Sequence, residues 1–190
     1  MINNIKPEEI PGLSELEIYA FRRLIRIYNR HAAANAEKDK YYEGKISLDS
    51  VNLGIALPDG LRKLEIGCAW GAKTVDVLAA RSMFDGFVGV NGEDVEELDR
   101  IVIDNRLVAE YMKAARDELK YGSAFATVLG DHGTGSKIRF HSAESAAAEW
   151  DGDLGRIAYG MAIIETREEG PDHYPEPSVI HLHLDTEVVE

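Results

Sequence analysis

The sequence predicts an α+β fold, with N-terminal helices followed by an antiparallel β meander. Three observations predict it. Apolar residues recur at helical spacing in two stretches of the first two-thirds of the chain, around residues 14–35 and 95–119. After Tyr121-Gly122 the spacing changes to an alternation of period two. From there on, clusters of Gly, Asp and Pro cut the chain into short segments, as turns between strands require.

Taken in order, Pro11-Gly12 closes a short N-terminal arm. Ser14-Glu15-Leu16-Glu17 reads as a capping box, in which the Ser hydroxyl and the Glu carboxylate each satisfy an orphan backbone N–H. Ile18, Phe21, Leu24, Ile25 and Tyr28 follow as one apolar stripe, predicting a helix to about Asn35 with Arg22, Arg23, Arg26 and Arg30 on or beside its polar side. Residues 44–60, with Gly44, Gly54, Pro58 and Gly60, read as an irregular connection. A second helix is predicted over Ala69–Arg81 and a strand over Asp85–Val90, which Asn91-Gly92 ends. Next, Val95, Leu98, Ile101, Val102, Val108, Met112, Ala115 and Leu119 share a helical face, Glu93 and Asp94 suit the positive end of its dipole, and Asn105 is a candidate break. Ala124–Leu129 and Lys137–His141 flank the Gly130–Ser136 loop as a hairpin with a long turn. Trp150–Asp153 is another turn, Arg156–Glu165 a strand, Glu168–Pro177 a loop and Ser178–Leu184 a last strand.

Composition bounds what such a fold can do. The 190 residues are 45% hydrophobic and 29% charged, a balance that folds rather than staying disordered. No apolar run approaches the ~18 residues that cross a bilayer, and the first residues lack the pattern of a signal peptide. One cysteine, Cys68, excludes an internal disulfide and fits a reducing compartment. The net charge of −13 is uneven: residues 1–63 are close to neutral, and residues 64–190 carry eleven Lys/Arg against twenty-five Asp/Glu. A surface of that sign repels phosphate, which argues against an ordinary nucleic-acid binder.

Several motifs point toward chemistry and fall short of it. Glu65-Ile66-Gly67-Cys68-Ala69-Trp70-Gly71 is similar to the glycine-rich first motif of Rossmann-like methyltransferases, whose glycines let the backbone approach a cofactor. Ala69 replaces its middle glycine, and Asn91 stands where an acid would bind ribose hydroxyls. Gly67–Thr74 approximates a phosphate-binding loop, with Ala72 where the motif needs glycine. His181 and His183, two apart on a predicted strand, face the same way and have zinc-site spacing, with His141 or His173 as further ligands; two sheet-surface histidines are the simpler reading. Asp151-Gly152-Asp153 is what a tight turn wants, and Cys68 has no basic partner fixed in sequence. The pattern therefore assigns no catalytic, cofactor-binding or metal-ligating residue, and expects a protein that is not an enzyme. A small S-adenosylmethionine-dependent methyltransferase using Glu65–Gly71 is the alternative.

From Tyr41-Tyr42-Glu43-Gly44 onward the chain resembles the portal proteins of long-tailed double-stranded-DNA bacteriophages. Leu53-Gly54-Ile55-Ala56-Leu57-Pro58 and Leu61-Arg62 match a family stretch, followed by Trp70-Gly71 and Val75-Asp76-Val77-Leu78-Ala79-Ala80-Arg81. Phe84-Asp85-Gly86-Phe87, Asp104-Asn105-Arg106-Leu107, Leu119-Lys120-Tyr121-Gly122-Ser123-Ala124-Phe125, Ser142–Ser145 and Trp150-Asp151 continue it. Their order and spacing over about residues 20–165 carry the resemblance; the last twenty-five residues match weakly, and Cys68-Ala69 departs from the family pattern.

The resemblance implies the wing region of a portal, as a fragment of a longer chain. Residues 1–43 form an arm and helix, and residues 44–190 an α+β wing-like domain, together one structural unit. It implies a non-catalytic subunit of a ring, usually dodecameric, at the capsid vertex, assembled in the host cytoplasm. Terminase, capsid or scaffold proteins and head-to-tail adaptors are its partners, duplex DNA passes without tight binding, and neither a cofactor nor a membrane is involved. Tyr41, Tyr42, Gly44, Trp70, Asp76, Arg81, Gly86, Tyr121 and Gly122 are the motif residues it marks as structural. Trp70, with Val75, Leu78 and Ala79, is expected to pack the second helix onto the core, and Gly122 to cap the long helix.

Overall fold

A computed structural model describes residues 2, 5–47, 58, 65–66, 70–90, 96–131, 135–168, 175–184 and 188–189. The fold is α+β, with helices preceding antiparallel strands. Contacts divide the chain into two compact units, Met1–Ala33 with His141–Glu190, and Ala34–Phe140. The division cuts the first helix after Ala33 rather than falling at residue 43.

The first unit joins the N-terminal part of helix α1 (Glu15–Glu43) to a four-stranded antiparallel sheet in the order β5-β6-β7-β8. Its strands are β5 (Ala146–Asp151), β6 (Arg156–Glu168), β7 (Pro175–His183) and β8 (Val188–Val189). The capping box forms as expected. Glu17 N–H donates to Ser14 Oγ at 3.3 Å, and Ser14 N–H donates back to the Glu17 carboxylate at 2.5 Å. Phe21 and Leu24 of the apolar stripe pack with Ile2, Ala147, Met161 and Leu182 into the buried core. Asn29 ties the arm down through both ends of its amide, accepting from Ile2 N–H at 2.8 Å and donating to Ile2 O at 2.9 Å. Two of the stripe's neighbouring arginines are paired within this unit, Arg22 with Glu8 and Arg23 with both oxygens of Glu149.

β5 is the element least visible in sequence. Ala146-Ala147-Ala148 has no alternation and no strand propensity, so its pairing with β6 decides its conformation. The turn after it is the predicted one: Asp151 Oδ1 accepts the N–H groups of Asp153 and Leu154 at 2.9 and 3.0 Å. β7 begins earlier than expected, its first residues pairing with the end of β6 where the sequence predicts loop.

The second unit contains the rest of α1, with helices α2 (Trp70–Ala79), α3 (Glu96–Asp104) and α4 (Leu107–Tyr121). It also holds two antiparallel ribbons, β1 (Ile46–Ser47) with β2 (Glu65–Ile66), and β3 (Ala124–Asp131) with β4 (Gly135–Ser142). β4 runs past the unit boundary by two residues.

α1 continues eight residues past Asn35, because Ala-rich, Lys- and Glu-containing sequence keeps favouring helix after the apolar stripe ends. It stops at Gly44, whose φ of +71° allows the left-handed turn. Gly44 N–H donates to Tyr41 O, and Lys45 N–H donates to Lys40 O at 2.8 Å, the reciprocal pair of a Schellman motif. The 95–119 pattern breaks where Asn105 suggests, and Arg106 takes a φ of +52°. Asn105 Nδ2 donates to Ile101 O and Ser136 O, each at 2.9 Å, and its Oδ1 accepts Ile138 N–H at 2.8 Å.

Two expectations fail here. Asp85–Val90 is not a strand: Gly86 has a φ of +114°, outside the pleated conformation, and Phe84 and Phe87 meet edge to face with centroids 5.2 Å apart. The apolar face predicted over residues 95–119 is not one buried face. Ala115 is buried, but Val108, Met112 and Leu119 are exposed. The left-handed residue at the break starts α4 in a new phase, and Leu107, Ala114 and Tyr121 turn inward instead. Among the described residues no helix is long and apolar enough to cross a membrane.

Candidate functional site

Among the described residues, a dense set of specific side-chain contacts lies in the second unit, where α1, α2 and α4 meet. α2 shows why the expected core residue is not in the core. Gly71, Ala72, Val75, Asp76 and Ala79 are its partly or fully buried residues, while Trp70 and Val77 lie outside. Trp70 is 80% exposed, so the expectation that it packs into the interior is overturned. Leu78 is exposed too, and of the expected packing face only Ala79 is fully buried. The inward face is small because the helices are close: a Cβ on Gly71 would stand 2.7 Å from Tyr41 O. Tryptophan, one residue before that glycine, falls a quarter-turn away from the contact.

Polar groups fasten the same place. Tyr42 OH donates to Asp76 Oδ1 at 2.9 Å, and Arg116 Nε donates to the same oxygen at 2.8 Å. Tyr121, buried near the end of α4, donates its hydroxyl to Asp39 Oδ1 at 2.8 Å. Lys120 makes an ion pair with Asp39, and its ammonium sits 4.6 Å from the Tyr42 ring centroid and 4.8 Å from that of Tyr121. Those distances are within the range of cation–π attraction. Lys38 Nζ donates to Tyr121 O. Gly122 caps α4 as expected, with a φ of +89° and its N–H on Glu118 O at 2.7 Å.

The electrostatics follow from partial burial. Burial pushes the Tyr42 phenol above its ordinary value, and the bond to Asp76 adds to the rise. Asp117 is raised as well, first by burial and then by Asp39, with Lys120 and Arg116 opposing. Asp39, Asp76, Tyr42 and Tyr121 are each committed to a partner on another helix, which makes the arrangement a fastening rather than a set of groups poised on a substrate.

The structure thus brings together Tyr42, Asp76 and Tyr121 of the motif residues, with Tyr41 O against Gly71, and places Gly44 and Gly122 at the ends of the two helices that carry them. Arg81 and Trp70 stand at the surface, and Gly86 lies exposed in the segment between Phe84 and Phe87, whose ring contacts continue as Phe84–Tyr111 at 5.7 Å and Tyr111–Phe140 at 6.4 Å. Asp39, Arg116 and Lys120 were missed. Their only trace in the sequence is charge at helical positions, which ordinarily means a solvated face.

The cofactor-like motifs fare differently. Glu65-Ile66 pairs antiparallel with Ile46-Ser47 in a two-stranded ribbon. A Rossmann-type cofactor loop follows a strand of a parallel sheet, which is not the setting here. Gly67–Ala69, Asn91 and His173 lie outside the described residues. Among the described residues no three His, Cys, Asp or Glu side chains are grouped to hold a metal ion.

No protein-family model matches the chain, and no curated protein matches it in sequence.

Proposed function

We propose that this chain is a wing-region portion of a phage portal protein, a structural and interacting subunit without catalysis of its own. The observation that carries the reading is convergence. Tyr42, Asp76 and Tyr121, spread over eighty positions and singled out by the resemblance, meet in one polar cluster with Gly71 against Tyr41 O. A coincidental set of short matches has no reason to meet in space. The exposed apolar residues Trp70, Val108, Met112 and Leu119 supply surface for contact with other subunits or assembly partners. In this reading the subunit stands in a ring, dodecameric in the family, at the capsid vertex of the virion, beside terminase, capsid or scaffold and head-to-tail adaptor proteins. The acidic balance suits a wall past which DNA moves without being held.

Negative-stain images of the full-length parent gene product test the reading: rings with a central hole are expected, and a protein that stays monomeric at micromolar concentration would sink it. The methyltransferase alternative has its own test, calorimetry with S-adenosylmethionine. No binding is expected, and a dissociation constant of ~10 μM or below, about −7 kcal/mol, would replace the portal reading with the enzyme.

A further inference from the structure

The sheet in the first unit has two unlike faces. One carries Ile180 and Leu182 of β7 against the core. The other carries Val179, His181 and His183, because alternate residues of a strand point to opposite sides. His183 stands opposite Gly160 of β6, whose partner on β5 is Ala148, and His181 stands opposite Ala162 and then Ala146. Neither strand therefore offers the His183 ring a polar side chain at these positions. Its titratable neighbour is His181, with ring centroids 6.2 Å apart. Glu165 of β6, opposite Val179, is the next charged residue along the ladder, four positions from His183 on β7 and so about 13 Å away. The Arg23–Glu149 pair lies on the core side, since Glu149 alternates with Ala148 and shares the face of Ala147. β8 brings only Val188 and Val189, which carry no charge.

Nε2 of His183 is buried and has no hydrogen-bond partner. A neutral imidazole can leave that nitrogen as a bare acceptor. An imidazolium cannot, because both of its nitrogens are donors and Nε2–H would face no acceptor. Burial first, and then the nearby His181, hold the His183 pKa below its ordinary value. For a histidine that sign means the neutral form is favoured in the fold. Its contribution is full above the unfolded value of about 6.5 and is lost as pH falls through the folded one. The sheet can accept the proton only by letting water reach the ring. The easiest place to open is β8, an edge strand of two residues whose two ladder positions are opposite Leu182 and His183 themselves. On its other side β7 is paired with β6 along nearly its whole length.

We propose that His183 is a pH-sensitive latch on β8: protonation below about pH 6 draws water to its ring and releases β8 from the end of β7, while β5, β6 and the rest of β7 stay paired. Release leaves the β7 edge open at Leu182 and His183, with backbone groups free to take up a strand from another chain. This inference rests on one edge of one sheet and is independent of the portal reading.

The test is nuclear magnetic resonance of the whole chain, titrated from about pH 7.5 to about pH 4.5 and repeated with His183→Phe. In the parent the ring of His183 should titrate with a midpoint below about 6.5. The amides of Val188 and Val189 should move to random-coil positions with that same midpoint, while those of Ala147 and Met161 hold. In His183→Phe the β8 amides should keep their folded positions over the whole range. A His183 ring that titrates while the β8 amides stay in place overturns the proposal, and so do β8 amides that move alike in parent and variant. If the larger ring prevents folding, the parent alone decides. Midpoints for ring and amides more than about half a pH unit apart, or loss of Ala147 and Met161 signals along with β8, overturn it equally.

Discussion

The two compact units of this chain are held together in different ways. In the first, a helix lies on a sheet and apolar side chains do most of the work: Leu24 and Met161 are wholly buried, with Phe21, Ala147 and Leu182 around them. In the second, the described buried residues are few and mostly small, Ala79, Ala114 and Ala115 with Leu107, Tyr121 and the polar Asn35, and named polar contacts join the helices. Hydrophobic burial is non-directional and tolerates error in phase. A cluster such as Tyr42–Asp76–Arg116 works only if three helices arrive at the right rotation. The difference teaches where a sequence can be read: a stripe announces an apolar core, whereas a polar fastening leaves almost no pattern.

The sharpest way to break this comparison is to remove a core side chain. Leu24→Ala deletes a fully buried residue beneath the sheet and should cost about 2–5 kcal/mol in chemical denaturation. A loss under about 1 kcal/mol would mean that the first unit is not organised around that core.

Gly71→Ala should come next, at about 1–3 kcal/mol. On an exposed helix the change would gain close to 1 kcal/mol, since alanine is the better helix former. Here the new methyl meets Tyr41 O at 2.7 Å, and a backbone atom in a helix cannot step aside. A stabilised variant would show that α1 and α2 are not as close as this, and the resemblance residues would lose their common site.

The same contrast explains what was legible. The start of α1 is written locally, in Ser14 and Glu17, and its stripe names Phe21 and Leu24 as core. Its end is not, because a stripe marks where a helix is covered and Gly44 marks where it stops, nine residues further on than Asn35. Asn105 is readable as a break, but the left-handed Arg106 that resets the phase of α4 is not, so an apolar face read straight through residues 95–119 crosses a discontinuity. β5 is invisible because alanines take the conformation their partner strand imposes. In the polar cluster Tyr42, Asp76 and Tyr121 were legible only through resemblance, and Asp39, Arg116 and Lys120 not at all, since charge at a helical position ordinarily signals solvent.

A smaller effect probes the electrostatics of the second unit. The carboxyl of Asp117 has a folded-state pKa above its unfolded value. For an acid that sign means the protonated form is favoured in the fold, so the contribution to stability is present at low pH and lost as pH rises through the folded value. At pH 7 the buried charge is therefore a burden. Asp117→Asn should raise the melting temperature at pH 7, and the gain should shrink as the pH falls below the carboxylate range. A gain that persists unchanged at pH 3 would show that burial of the charge is not its cause.

The smallest change in stability should come from the largest side chain on α2. Trp70 is the residue that sequence reasoning would most readily bury, since a tryptophan beside an apolar helical pattern usually packs inward, and truncating a buried one costs about 3–5 kcal/mol. Its position denies it that role. Gly71 sets the inward direction of α2 by its approach to Tyr41 O, Asp76 and Ala79 follow on that side, and Trp70 points away with 80% of its surface exposed. Trp70→Ala should therefore alter the unfolding free energy by no more than about 0.5 kcal/mol, the range for surface positions away from special contacts. Its intrinsic fluorescence should report the same thing, since a solvated indole is quenched readily by iodide. In the portal reading the variant should fold normally and fail instead in assembly, with fewer rings from the full-length protein. A variant that melts far below the parent would return Trp70 to the core, and with it the whole assignment of which face of α2 looks inward.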